Sequence, residues 1–287
     1  MRFTYYPGCS AHASAKEYDM SARAVCEKLG VELIEIDDWN CCGALEAENP
    51  LVSVALSIRN LAIAEESGLD LAIPCSACYF NAAKAVKYLR EDESVQKKLL
   101  EVDHSLRFND TIAPRHLLDV IVNEVGVEEI RRNTTRPLSG IKVVPYYGCL
   151  IGRPSDIAFD DPDNPRSMDL LIEAVGAEQP SFSHKAKCCG GALIMTNFDY
   201  SMEMSRKILE DAKGAGADCI IVGCPVCHLM LDGRQSDIEA KYKIELKIPV
   251  LYFTQLLGLA FGIEPGKLGL NKNIVSTNNL VSMIKGA

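Results

Sequence analysis

Apolar residues recur at helical spacing through "SAKEYDMSARAVCEKLG", residues 14–30, and the run stops at a glycine. That combination predicts a helix closed by a left-handed C-terminal residue. The next six residues, "VELIEI", alternate apolar and polar side chains and predict a half-buried strand. A second helical run, "LVSVALSIRNLAIAEESG" at 51–68, again ends on glycine. It leads into "LDLAIP", a short apolar run of the kind buried in parallel sheets. Strands alternating with helices in this way predict an α/β fold, with small, mostly parallel sheets flanked by helices.

The pattern is then written again. "DCIIVG" at 218–223 answers "LDLAIP", and "FTQLLGLAF" at 253–261 answers "APRHLLDVI" at 113–121. The cysteines mark the repeat most sharply. Cys9, Cys41-Cys42 and Cys75/Cys78 are followed by Cys149, Cys188-Cys189 and Cys224/Cys227. Each copy reads Cys … Cys-Cys-Gly … Cys-x-x-Cys, with gaps of 31 and 32 residues in the first and 38 and 34 in the second. The extra length falls mainly in "GRPSDIAFDDPDNPRSMD", a surface loop by its Pro, Asp and Asn content. An internal duplication of this kind predicts two pseudo-equivalent units, residues 1–137 and 138–287, joined near the charged, Pro-containing "VEEIRRNTTRPLSG".

Composition narrows the classes. Of 287 residues 48% are hydrophobic, enough for sizeable cores. A net charge of −9 without a long Lys/Arg run argues against a nucleic-acid partner. The longest apolar stretch, "LYFTQLLGLAFGI", is interrupted by Thr254 and Gln255 and is too short for a membrane span. The opening "MRFTYYPGCS" does not resemble a secretory signal, so a cytoplasmic protein with reduced thiols is expected. Twelve cysteines in such a setting point to metal or redox chemistry.

A structural zinc takes four ligands, whereas each copy offers five cysteines, two of them adjacent. Adjacent sulfurs are easier to accommodate on different metal atoms, and five thiolates carry more charge than one divalent ion offsets. A multinuclear iron–sulfur centre meets both conditions better; zinc in one copy and disulfides remain the alternatives. Gly43 and Gly190-Gly191 let the backbone approach and aim N–H groups at sulfur. Each Cys-x-x-Cys is expected past the carboxyl end of a strand, at a helix N-terminus, where positive potential suits thiolates. Cys26 and Cys219 fall outside the pattern and read as small buried apolar residues.

These motifs resemble the CCG-domain family. From "YPGCSAHASAKEYDMSARAVCEKLGVELIEIDDWNCCG" through "YYGCLIGRP", "FDDPDNPRSMDLLIEAVGAE" and "KCCGGALIMTN", the chain is similar to the heterodisulfide reductase B subunits of methanogenic archaea. The first-copy gap of 32 residues departs slightly from that family's pattern. The resemblance implies two noncubane [4Fe-4S] clusters, one on each five-cysteine set. It implies reduction of the mixed disulfide of coenzyme M and coenzyme B in one-electron steps during methanogenesis. It also implies partners: a ferredoxin-like iron–sulfur chain, the C subunit, and a flavoprotein, the A subunit. These would sit in a larger, electron-bifurcating complex with a hydrogenase or formate dehydrogenase. Two similar half-sites would treat the two sulfurs of a disulfide separately, which requires them to face one cleft. Two rival readings stand beside it: a CCG electron-transfer subunit of a lactate, glycolate or fumarate oxidoreductase, and a noncatalytic zinc-stapled scaffold.

The chain carries neither a ferredoxin-type cysteine run nor a Gly-x-Gly-x-x-Gly fingerprint, so neither flavin nor NAD is expected on it. Arg153, Lys185 and Lys187 are the candidate cations for an anionic substrate, since they lie near Cys149 and the Cys188-Cys189 pair. His12 and His228 are the candidate proton donors. The tyrosine pairs Tyr5-Tyr6 and Tyr146-Tyr147 are expected to pack beside the metal without a chemical role.

Overall fold

The computed structural model describes residues 1–44 and 49–286. The first half runs β1 (Arg2–Tyr5), α1 (Cys9–His12), α2 (Lys16–Lys28), β2 (Glu32–Glu35), α3 (Pro50–Glu65), β3 (Leu71–Ile73), α4 (Ser76–Glu91), α5 (Glu93–Val102), β4 (Pro114–His116) and α6 (Leu117–Asp119). A wide π-helical turn, Val120–Gly126, carries α6 into α7 (Val127–Asn133). The second half runs β5 (Val143–Tyr146), α8 (Ser167–Ala174), α9 (Phe198–Gly214), β6 (Cys219–Val222), α10 (Pro225–His228), a π-helical turn Leu229–Gly233, α11 (Gln235–Tyr242), β7 (Val250–Tyr252), α12 (Phe253–Ala260) and α13 (Asn278–Gly286).

Both sheets are wholly parallel. The first has the order β2-β1-β3-β4 and the second β5-β6-β7. Among the described residues, the second sheet has no full counterpart of β2. There the chain makes one parallel bridge, Lys142 to Glu178, before Pro180 and irregular backbone follow. Proline has no N–H for a ladder, so the strand ends where it starts. The helix after Cys-x-x-Cys differs too: α4 has 16 residues, whereas α10 has four before widening into its π-helical turn.

Alternation along the strands divides the core. Leu71 and Ile73 pack with Ile58, Leu61, Ala82 and Val86 beneath α3 and α4, while Ala72 between them faces the other layer with Tyr5, Tyr18 and Ala22. That second layer continues without a break into the second half, through Val144, Ile221, Leu256 and Leu257. The halves also exchange helices. From the first half, α2 packs on α12 of the second, with Ser21 Oγ 2.7 Å from Thr254 Oγ1; from the second, α8 packs on α6 and its π-helical turn. Among the described residues, no helix is long and apolar enough to cross a membrane.

Candidate metal centre

The parallel sheets bring each cysteine set to the carboxyl ends of their strands. Cys9 and Cys149 follow β1 and β5; Cys75 and Cys224 are the N-terminal caps of α4 and α10, placing their Cys-x-x-Cys pairs over helix starts. In the first set, Cys9 Sγ and Cys41 Sγ are 3.8 Å apart, and Cys42 Sγ and Cys78 Sγ 3.5 Å. In the second, the matching distances are 4.0 Å for Cys149–Cys188 and 3.7 Å for Cys189–Cys227. All twelve cysteines are free thiols. Cys26 and Cys219 are buried away from both sets, and burial raises the pKa of each, that of Cys26 to about 12.

The backbone around the sulfurs is shaped alike in both halves. Gly190 N–H donates to Cys188 Sγ at 3.3 Å and Gly191 N–H to Cys189 Sγ at 3.4 Å. In the first half, the backbone N–H groups of Gly43 and Ala44 favour the thiolate forms of Cys41 and Cys42. Tyr6 Oη donates to Asn40 O at 2.8 Å, and Tyr146 Oη to Lys187 O at 2.7 Å. Each hydroxyl therefore holds the residue just before a Cys-Cys pair. The structure assigns that task to these tyrosines, for which the sequence predicts packing alone. A Cβ at Gly8 would stand 3.1 Å from Cys78 Sγ, and one at Gly148 3.1 Å from Cys227 Sγ, so both glycines keep the sulfurs uncrowded.

Thiol contacts favour ionisation at particular sulfurs. Hydrogen bonding from Cys78 lowers the pKa of Cys42 to about 7. Contacts from Cys149 and Cys189 lower that of Cys188, and contacts from Cys227 and Cys75 lower that of Cys224. Their partners Cys78, Cys149 and Cys227 shift upward, first through the same thiol contacts and then through burial. Five sulfurs per set, with backbone N–H donors aimed at them, fit a multinuclear iron–sulfur group. Among the described residues, no three His, Cys, Asp or Glu side chains already converge on a single-ion position.

The two sets adjoin. The Cys75 and Cys224 turns meet across the seam between the halves, where Ser76 Oγ donates to Gly223 O at 3.1 Å. A cavity of about 90 Å³ beside the second set is lined by Cys149, Cys188, Cys189, Cys224 and Cys227, and also by Ser76 and Ala77 of the first half.

The candidate cations are placed differently from one another. Lys187 and Arg153 are exposed near the second set. Lys185 Nζ instead donates to Pro165 O at 2.9 Å and to Asp169 Oδ1 at 3.3 Å, over the Tyr147 ring. It fastens the Asp-rich loop, which Asp160 closes by accepting from Arg166 N at 3.0 Å and Ser167 N at 2.7 Å.

The two histidines also part. His12 is exposed, 3.2 Å from Glu35 Oε1 and edge-on to Trp39. His228 is buried, stacked on Tyr252, with Nε2 at 3.0 Å from Val250 O. Beside it lie two buried carboxyls, Glu17 and Asp232. Burial raises the pKa of Asp232 from 3.8 to about 7, although its Oδ2 accepts from Ile274 N at 2.6 Å. The native state therefore keeps a proton that the unfolded chain has released. This carboxyl's contribution to stability, on the order of 4 kcal/mol, is full below about pH 4 and is lost as pH rises through 7. Asp232→Asn is expected to flatten that slope in urea melts at pH 5 and pH 8; an unchanged slope rejects this assignment.

Sequence reading missed the side chains that brace the cysteine turns. Asn60 donates to Asn40 O at 2.8 Å and Asn81 to Cys42 O at 3.0 Å. In the second half, Ser201 donates to Gly190 O at 2.9 Å and Ser205 to Cys189 O at 2.8 Å. All four are buried polar residues on helical runs, a signal that periodicity alone passes over.

The CCG cysteine-rich domain pattern matches residues 3–82 and 143–232, one match on each half. The chain belongs to the CCG family. Its CCG relatives include the 8-methylmenaquinol:fumarate reductase membrane anchor subunit of Wolinella succinogenes, 33% identical over 97% of this chain and 98% of that one. They also include the B subunit of the ferredoxin:CoB-CoM heterodisulfide reductase of Methanosarcina mazei, 30% identical over 99% and 97%. A crystal structure of a hypothetical protein from Helicobacter pylori shares the fold, with a TM-score of 0.76 at 15% identity. That likeness covers 96% of this chain but 52% of the other, so this CCG chain spans about half the length of that solved structure.

Proposed function

We propose that this chain is the iron–sulfur subunit of a multisubunit oxidoreductase and that its substrate is a disulfide, the mixed disulfide of coenzyme M and coenzyme B. The supporting observation is the pairing of two five-cysteine sets across one seam, with Ser76, next to Cys75, bonded to the Gly223 carbonyl just before Cys224. The ligands of the first set would be Cys9, Cys41, Cys42, Cys75 and Cys78; those of the second Cys149, Cys188, Cys189, Cys224 and Cys227. Two noncubane [4Fe-4S] groups on these cysteines would supply one electron each to the disulfide. The chain's own residues hold the sulfurs, aim N–H groups at them, and offer Lys187 and Arg153 at the surface for anionic ends of the substrate. His12, exposed beside Glu35, is the better placed of the two proton-donor candidates. Residues 1–137 and 138–287 would be the two repeat units. Electrons would arrive from a ferredoxin-like iron–sulfur partner and a flavoprotein partner.

The Wolinella relative favours a second reading, electron transfer linked to quinol and fumarate. The two separate in an assay of the anaerobically assembled complex. Thiol release from the mixed disulfide is expected under the first reading; reduced-quinone oxidation without thiol release overturns it. Iron and acid-labile sulfide analysis tests both at once. Roughly eight iron atoms per chain are expected for two four-iron groups, and zinc without sulfide would leave the scaffold reading.

A further inference from the structure

The cysteine sets are tied together by bonds that neither half makes alone. Tyr18, on α2, donates its hydroxyl to Pro74 O at 2.7 Å and lies 3.3 Å from Gly223 O. Those carbonyls belong to the residues directly before Cys75 and Cys224. Ser76, between Cys75 and Cys78, donates to Gly223 O at 3.1 Å and stands 3.3 Å from His116 Nε2. His116 Nδ1 accepts from the Leu118 N–H at 3.1 Å, so the neutral ring carries its proton on Nε2 and donates to Ser76. The donor order is therefore fixed, from His116 to Ser76 to the Gly223 carbonyl. Tyr18, Ser76 and His116 are all buried.

We propose that Tyr18 and Ser76 are positioning residues that lock the Cys75 and Cys224 turns together, and that this spacing couples the two cysteine sets so that their two electrons enter at separate potentials. The inference rests on the iron–sulfur reading above. Coupling between two charged or paramagnetic centres weakens steeply as they separate, and it is strong where water is excluded. A buried clasp between the two Cys-x-x-Cys turns sets that separation. An electron held at one set then makes entry at the other less favourable.

The test uses the full chain loaded with iron and sulfide, reduced stepwise with titanium(III) citrate and followed by EPR. The parent is expected to give a spectrum split by interaction between its two reduced centres, and two distinct midpoint potentials. The Tyr18→Phe/Ser76→Ala double variant should keep parental iron and sulfide. Its splitting should fall at least twofold, and its two potentials should draw together. Phenylalanine retains the ring that stacks on Tyr252 at 3.9 Å, so the fold around α2 has its packing. Tyr252→Phe, which removes a hydroxyl that is itself unpartnered among the described residues, should behave as the parent. An unsplit parent spectrum at full iron content, or an unchanged splitting and potential gap in the double variant, overturns the clasp. If the double variant loses iron, Tyr18→Phe alone decides: a reduced splitting supports the clasp and a parental one overturns it. A parent chain that takes up no iron overturns the iron–sulfur reading instead.

Discussion

Gly191→Ala is expected to destabilise the chain by about 2 kcal/mol, the usual cost of forcing a methyl into a filled core, and to strip metal from the second set. A Cβ there would lie 2.3 Å from Val226 Cγ1, well inside contact distance. Val226 stands between Cys224 and Cys227 on α10, so whichever side yields, the sulfurs move. Valine has one strongly preferred rotamer in a helix and cannot swing aside cheaply. The cause is therefore testable by a second substitution. Val226→Ala in the Gly191→Ala background should restore most of the lost stability and metal, as read by thermal melts and iron analysis. Gly190→Ala should not be rescued by it. That residue has φ +82°, and its Cβ would meet the Ser201 Cα at 2.9 Å, a backbone atom that no side-chain trimming removes. Rescue of both, or of neither, rejects this account.

The same pair of glycines shows where sequence reading reaches its limit. "CCGG" suggested backbone approach to sulfur, and the N–H contacts of Gly190 and Gly191 are of that kind. The motif could not reveal that Gly191 is also kept small by a side chain 35 positions later, since that contact depends on how α10 is set against the loop. Local features were legible because local chemistry causes them. Glycines with positive φ close α2 and α3 at Gly30 and Gly68, and apolar runs become β3 and β6. The seam was not legible. Tyr18 and Gly223 are 205 residues apart, and His116 carries no motif. His116 matters because β4 ends there and its ring caps α6 through Leu118 N–H, a placement given by the sheet rather than by neighbouring residues. The lack of a full β2 counterpart in the second sheet, among the described residues, has a related cause. Duplicated cysteines imply duplicated strands, and Pro180 breaks that symmetry without touching the cysteine spacing.

Cys42→Ser and Cys189→Ser are each expected to lose about half of the parental iron and sulfide, the amount carried by one of two equivalent groups, and to abolish disulfide reduction. Serine keeps the size but not the chemistry, because a hydroxyl does not ionise near neutral pH as the Cys42 thiol does at about 7. The loss should stay within one half because the sulfurs sit in separate cores. Cys42 packs with Tyr6, Leu61, Ile73 and Tyr79, whereas Cys189 packs with Tyr146, Met202, Leu209 and Met230. The Tyr18 and Ser76 clasp runs through carbonyls rather than through either Cys-Cys pair, so it survives both changes. Cys26→Ser and Cys219→Ser are the matched controls. Both thiols are buried away from the sets, and both variants should keep full iron while losing some stability, since a hydroxyl replaces a buried apolar group. Iron and sulfide counts per chain, with EPR of what remains, read all four. Complete loss of iron in Cys42→Ser would mean that the two sets assemble as one and that separate cores do not make separate sites. Unchanged iron in both Cys-Cys variants would remove these cysteines from the ligand set.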